Sequence, residues 1–225
     1  MSASPPAPQL GTDADSLSGL LASFGACLLV LCLGLMALFI ATENGTAYTT
    51  ETQRRSAVAR APVLVPDFRV FDALGQAQTL KQLLQQDERI WIVDFVYTRC
   101  NTLCLALGTV FQQLQQQILD QGLQDRVGLL SISFDPENDN PTTLNAYARR
   151  MRMQSDVWQL VSLQRPADRR QLLDSFGIMV VPAPLGEFEH NAALHLVTAD
   201  GQLVQILDLT AGKQALYAAA ALTAP

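Results

Sequence analysis

Alternating stretches of strand and helix character predict an α/β domain with a mainly parallel core sheet, carried behind one helix long enough to span a membrane. Three observations lead there. Residues 90–96 and 127–134 are near-continuous apolar runs rich in β-branched and aromatic residues, the composition of strands buried on both faces. Segments of helical length and spacing separate the strand-like runs, the pattern of an α/β domain. Finally, residues 20–41 are 22 positions without a charge, where about 20 apolar residues suffice to cross a bilayer's hydrocarbon core.

The elements follow in order. Residues 1–15 are rich in Ser, Pro, Ala and Gly and have little to bury, so 1–19 is expected as a disordered leader. A cleaved signal peptide needs a basic start, a 7–15-residue apolar core and a small-residue cleavage site. Residues 1–19 contain no Lys or Arg and carry Asp13 and Asp15, and the apolar run is too long, so 20–41 reads as a single transmembrane anchor. Residues 42–61, rich in Thr, Glu and Arg with no apolar period, read as a tether. The globular domain is expected over 62–225.

Within it, 68–71 is a short strand followed by a turn at Gly75, and 79–86 a short helix. Strand 90–96 leads into a helix over 103–122. The glutamine-rich stretch 112–124 keeps Phe111, Leu114, Ile118 and Leu119 at helical spacing, and so reads as a solvated helix face. After strand 127–134, Asp139-Asn140-Pro141 supplies an N-cap and a proline at the first helical position, opening a helix to about 151. Strand 157–163 and helix 168–176, closed by Gly177, come next. Residues 193–198 and 202–207 form a hairpin across Ala199-Asp200-Gly201, where Asp-Gly is a strong turn signal. A last helix covers 211–222.

Charged residues make up 16% of the chain and the net charge is −6, which argues against nucleic acid as a partner because phosphate binding needs a basic face. Of four cysteines, Cys27 and Cys32 lie in the apolar segment, where a thiol behaves as a small hydrophobe. Cys100 and Cys104 are the pair in the remaining sequence, so there is no disulfide framework to build. Arg54, Arg55 and Arg60 follow the apolar segment and none precedes it. The positive-inside rule alone would place the C-terminal domain in the cytoplasm, but large domains translocate largely regardless of charge.

The chemistry concentrates at Cys100-Asn101-Thr102-Leu103-Cys104, where a strand hands over to a helix. Residues four apart on a helix share a face, so both sulfurs can point the same way. The helix N-terminus favours thiolate, and Arg99 adds positive charge. Such a pair can close a disulfide or clasp a soft metal. The chain has two histidines, His190 and His195, and two thiolates plus a neutral imidazole suit copper; zinc would want a fourth ligand. A metal-free thiol–disulfide reductase or peroxidase is the alternative, and a copper or redox sensor a third reading for which the sequence offers no output module.

Asp94-Phe95-Val96-Tyr97-Thr98-Arg99-Cys100 followed by Cys104 resembles the metal-binding signature of the Sco/SenC copper chaperones. Three more stretches are similar: the run from Ser131-Ile132-Ser133-Phe134-Asp135-Pro136-Glu137 to Pro141, Val65-Pro66-Asp67-Phe68 through Gly75, and Glu189-His190 followed by Asp200-Gly201. The resemblance covers nearly all of 62–210. It implies a thioredoxin-like fold behind a single membrane span, and copper held by Cys100, Cys104 and His190. It further implies receipt of copper from an upstream donor outside the cytoplasm, in the periplasm, and delivery to the copper A centre of cytochrome c oxidase. Cys100 and Cys104 would double as a redox-active dithiol. Asn101 and Leu105 stand where the family usually has proline, and Glu189 where it has Asp, which leaves the client open more than the metal. A site on His195, inside a regular strand, would require that strand to abut the cysteines. His190 follows Pro182, Pro184 and Gly186 and is expected on a loop.

Overall fold

The computed structural model describes residues 13–42, 49–99, 103–184 and 187–223, and at 13–18 and 103–107 the backbone alone. Two compact units divide the chain, Met1–Gln53 and Arg54–Pro225. The first is dominated by α1 (Asp13–Ala41), in which Gly19–Ala41 is long and apolar enough to cross a membrane. Phe24, Val30 and Ile40 and most of its other large apolar side chains are exposed. Helix α1 starts at Asp13, so positions 13–19, expected within the disordered leader, are helical.

The stretch expected as a tether, 42–61, contains a second helix, α2 (Thr50–Arg60). From Arg54 onward it belongs to the second unit, which thus starts before the expected position 62. Its sequence has no apolar stripe to reveal it. Polar contacts and one buried side chain hold it instead: the Arg54 guanidinium donates to the Phe176 carbonyl, Arg55 pairs with Asp208 at 3.6 Å, and Val58 joins the core.

The second unit is built on an eight-stranded sheet. Its strands are β1 (Val63–Leu64), β2 (Arg69–Asp72), β3 (Ala77–Thr79), β4 (Ile90–Val96), β5 (Val127–Ser133) and β6 (Trp158–Leu163), then β9 (Ala193–Val197) and β10 (Gln202–Asp208). The order is β1-β10-β9-β4-β5-β6-β2-β3. Strands β7 (Val180–Pro182) and β8 (Phe188–His190) form a separate antiparallel two-stranded ribbon. Only β4–β5 and β5–β6 are parallel, so the mainly parallel sheet expected from the sequence is corrected to a mixed one. Parallel neighbours need long crossovers, and the helical connections between β4, β5 and β6 supply them, whereas β2–β3 and β9–β10 are joined by turns.

Helices close both faces: α3 (Leu80–Gln85), α4 (Leu103–Asp120), α5 (Pro141–Arg150), α6 (Arg169–Phe176) and α7 (Gly212–Leu222). Local signals explain their ends. Thr79 and Gln82 form a reciprocal capping box on α3, and the Asn140 side chain accepts from the N–H groups of Thr142 and Thr143 to open α5. Gly177 ends α6 in the left-handed conformation at φ 63°, which glycine adopts without a Cβ penalty. The glutamines of α4 do more than face solvent. Buried Gln115 donates to the Arg152 carbonyl at 3.1 Å and accepts from the Gln154 N–H at 2.8 Å, holding the chain that leaves α5.

Strand alternation sorts the two faces. Asp94 and Val96 lie opposite Ser131 and Ser133 on the face where Phe111 of α4 packs on Trp158, ring centres 5.4 Å apart. Phe95 and Tyr97 point the other way, Phe95 meeting Phe176 of α6 at 4.9 Å. The C-terminal ends of β4 and β5 therefore emerge between α4 on one side and the β7–β8 ribbon on the other.

Candidate metal centre

Strand β4 stops at Val96 and α4 begins at Leu103, so the expected strand-to-helix handover is present. Cys104 occupies the first turn of α4, where the helix N-terminus favours a thiolate. Cys100 lies outside the described residues, as do 101 and 102, and with it the expectation that the two sulfurs share one helix face. Among the described residues no group of three or more His, Cys, Asp or Glu side chains gathers to hold a metal; the three-residue set read from the sequence includes Cys100.

His190 is placed differently from the expectation. It ends strand β8 rather than riding on a loop, pairing with Val180 across the ribbon. A three-residue strand next to two prolines offers no apolar run long enough to be recognised from sequence. The His190 ring packs edge-on against Phe134 with centres 5.3 Å apart, and its Nδ1 lies 3.1 Å from the Asn191 carbonyl oxygen. A carbonyl can only accept, so this bond puts the proton on Nδ1 and leaves Nε2 as the lone-pair nitrogen, the one suited to a metal.

Tyr97, just beyond the end of β4, joins this ribbon to the main sheet. Its hydroxyl donates to the Phe188 carbonyl and accepts from the Phe188 N–H, both at 3.1 Å. Its ring packs against Phe188 at 5.3 Å and Phe134 at 5.4 Å. Cys100 is three residues beyond Tyr97 and His190 two beyond Phe188. At about 3.5 Å per residue, the Cys100 Cα lies within roughly 11 Å of the Tyr97 Cα, and the His190 Cα within roughly 7 Å of the Phe188 Cα. In the sequence Tyr97 is part of the Asp94–Cys100 motif, and this role has no periodic signal.

His195 lies in a regular strand, as expected, and the structure makes it a core residue. It is fully buried in β9, with Nδ1 3.3 Å from the Val93 carbonyl oxygen, and its ring meets Phe95 and Phe176 edge-on at 5.7 and 5.4 Å. Arg99, expected to favour thiolate, is engaged elsewhere: its guanidinium pairs with the buried Asp135 carboxylate at 3.0 Å.

Two buried acids escaped the sequence reading as site elements. Asp94, fully buried on β4, has its carboxyl pushed up to about 7 by burial, against the pull of the Ser131 hydroxyl. Its signal was a lone charge within an apolar run. Burial also raises Asp139, opposed by hydrogen bonds from Ser133 and Thr98, with the Asp135 charge pushing the same way as burial. That residue was read only as part of a helix cap.

The second unit is a mixed α/β domain of thioredoxin-like architecture, with Cys104 in the first turn of the helix that follows a central strand and His190 on a ribbon tied to the end of that strand. The family model described as SCO1/SenC matches residues 56–223, and the chain belongs to that family. A SCO1 protein homolog of Bacillus subtilis (strain 168) is 29% identical over 119 residues, covering 52% of this chain and 60% of that protein. The match thus spans less than two thirds of that relative's length. A SCO1/SenC family lipoprotein from Bacillus anthracis str. Ames superposes with a TM-score of 0.64 at 21% identity, covering 73% of this chain and 99% of that one. Bradyrhizobium japonicum ScoI, solved with copper bound, gives a TM-score of 0.57 at 23% identity, covering 69% of this chain and 97% of its own. At these identities the two structures establish the fold.

Proposed function

We propose that this protein is a membrane-anchored copper-binding assembly factor that holds one copper ion through Cys100, Cys104 and His190. The observation that supports the proposal is the Tyr97–Phe188 tie, which fixes the His190 ribbon to Tyr97, three residues before Cys100 in the chain. A dithiol that only exchanged disulfides would have no use for an imidazole held there. Two thiolates satisfy the soft cuprous ion, and the imidazole makes the site hospitable to the cupric ion as well. Membership in the SCO1/SenC family and the copper in the Bradyrhizobium japonicum relative support the reading.

Copper is cargo in this account. An upstream donor loads the centre, and the protein passes the ion to the copper A centre of a cytochrome c oxidase subunit. The same dithiol can reduce a client disulfide: a thiolate attacks one client sulfur, the second thiol resolves the mixed disulfide, and Cys100–Cys104 ends oxidised. Helix α1 anchors the protein in the inner membrane with the second unit in the periplasm.

The test is to add copper(II) to the reduced full chain and follow the sulfur-to-copper charge-transfer bands. His190→Ala should erase them while sparing part of the copper(I) binding, and His195→Ala should leave them intact. The reverse pattern would move the ligand to β9 and end this assignment.

A further inference from the structure

We infer that Asp139 is a positioning residue of this centre, setting where Cys100 stands relative to His190; the inference rests on the proposed metal site. The Asp139 carboxylate is fully buried, yet it accepts from three donors: the Thr98 N–H at 3.0 Å, the Thr98 hydroxyl and the Ser133 hydroxyl. Thr98 is two residues before Cys100. From the opposite side, Arg150 of α5 donates to the Thr98 carbonyl at 3.2 Å. Both backbone polar groups of Thr98 are thereby held.

The clamp belongs to a loop crossed by hydrogen bonds of its own. The Asp135 N–H donates to the Ser133 hydroxyl at 3.1 Å, the Asp139 N–H to the Asp135 carbonyl at 2.8 Å, and the Asn138 amide to the Asp135 carboxylate at 2.9 Å. Asp135 also takes Arg99 at 3.0 Å, the residue joined directly to Cys100. At the other end of the same loop, Phe134 is the residue that packs on His190. One short segment, 134–139, therefore touches both halves of the centre: aromatic contact to the histidine, hydrogen bonds to the approach to Cys100.

A carboxylate is suited to this post. Its two oxygens offer about four lone-pair sites and no proton, enough for all three donors, whereas an amide presents one oxygen and two hydrogens that would need acceptors of their own. Such a group, buried at a cost, is best explained by what it holds in place.

The test compares the wild-type full chain in detergent with Asp139→Asn, Thr98→Val and Thr98→Ser. The dithiol–disulfide equilibrium is measured in glutathione buffers, alongside copper(II) affinity and the unfolding midpoint. Valine keeps the shape of threonine and deletes the hydroxyl; serine keeps the hydroxyl. Asp139→Asn and Thr98→Val should each shift the dithiol equilibrium constant about tenfold, ~30 mV for a two-electron couple. Both should weaken copper(II) binding by a similar factor, and Thr98→Ser should restore both readouts. Folded Thr98→Val and Asp139→Asn proteins with wild-type equilibrium and affinity would overturn the inference, as would a Thr98→Ser protein as impaired as Thr98→Val. Should Asp139→Asn fail to fold, the two Thr98 variants decide alone. If the wild type itself binds no copper, the proposed metal site fails, while the dithiol equilibrium still judges the clamp.

Discussion

The Tyr97 hydroxyl and the Phe188 backbone exchange two hydrogen bonds of 3.1 Å, so one phenol both donates to and accepts from the strand that ends in His190. Strand β8 lies in a two-stranded ribbon outside the main sheet, and this tie with the Tyr97–Phe134–Phe188 aromatic cluster is what docks it.

Tyr97→Phe keeps the ring and removes the oxygen. It leaves the Phe188 N–H and carbonyl without that partner, at about 1–3 kcal/mol by the usual cost of an unmade buried hydrogen bond. Chemical denaturation should show a loss of that order. Copper(II) affinity should fall with it, because the histidine ribbon is no longer pinned to the loop. Unchanged affinity alongside lost stability would separate the tie from the metal centre.

Asp94 predicts an unusual pH dependence. Its folded pKa of about 7 lies above the ordinary 3.8, so the folded chain keeps a proton that the unfolded chain releases between those values. Its contribution to stability is complete below about pH 4 and disappears as pH rises through 7. The full swing is roughly 4 kcal/mol at 1.36 kcal/mol per unit. Asp94→Asn, which cannot ionise, should flatten the profile and be more stable than wild type at pH 8, read from denaturation midpoints across pH 4–8. A wild-type chain whose stability rises over that range through this residue would contradict the assignment.

The central architecture was legible from patterning, because β4 and β5 are buried on both faces and carry apolar runs that admit few other readings. The cap at Asn140 and the turns at Gly177 and Gly201 were equally readable, since each depends on the chemistry of one or two residues. Helix α2 and the β7–β8 ribbon were not. They are held by contacts distant in sequence, Arg54 to Phe176 and Tyr97 to Phe188, which leave no local period. The two histidines show the same division. His195 was recognisable from strand alternation as a regular sheet residue, whereas the short strand under His190 was hidden behind its prolines.

His195→Ala should empty a space between Phe95 and Phe176 and destabilise the fold by about 2–5 kcal/mol, the range for deleting large core side chains. Copper stoichiometry of the surviving folded protein should be unchanged. Lost copper binding in a folded His195→Ala protein would bring this core residue into the site.

Topology provides an independent check. An alkaline phosphatase fused after position 225 should be active, because the second unit is expected outside the cytoplasm despite the arginines that follow α1. An inactive phosphatase together with an active cytoplasmic reporter at the same position would reverse the orientation.

The most direct measurement is an anaerobic copper titration of the full chain with its dithiol reduced, repeated after complete oxidation. One copper per chain should bind to the reduced protein and none to the oxidised, because a Cys100–Cys104 disulfide removes both sulfur ligands at once. Cys100→Ser and Cys104→Ser should each abolish tight binding, since a neutral hydroxyl is a poor ligand for a soft ion. Equal copper retention by the reduced and oxidised proteins would contradict the account.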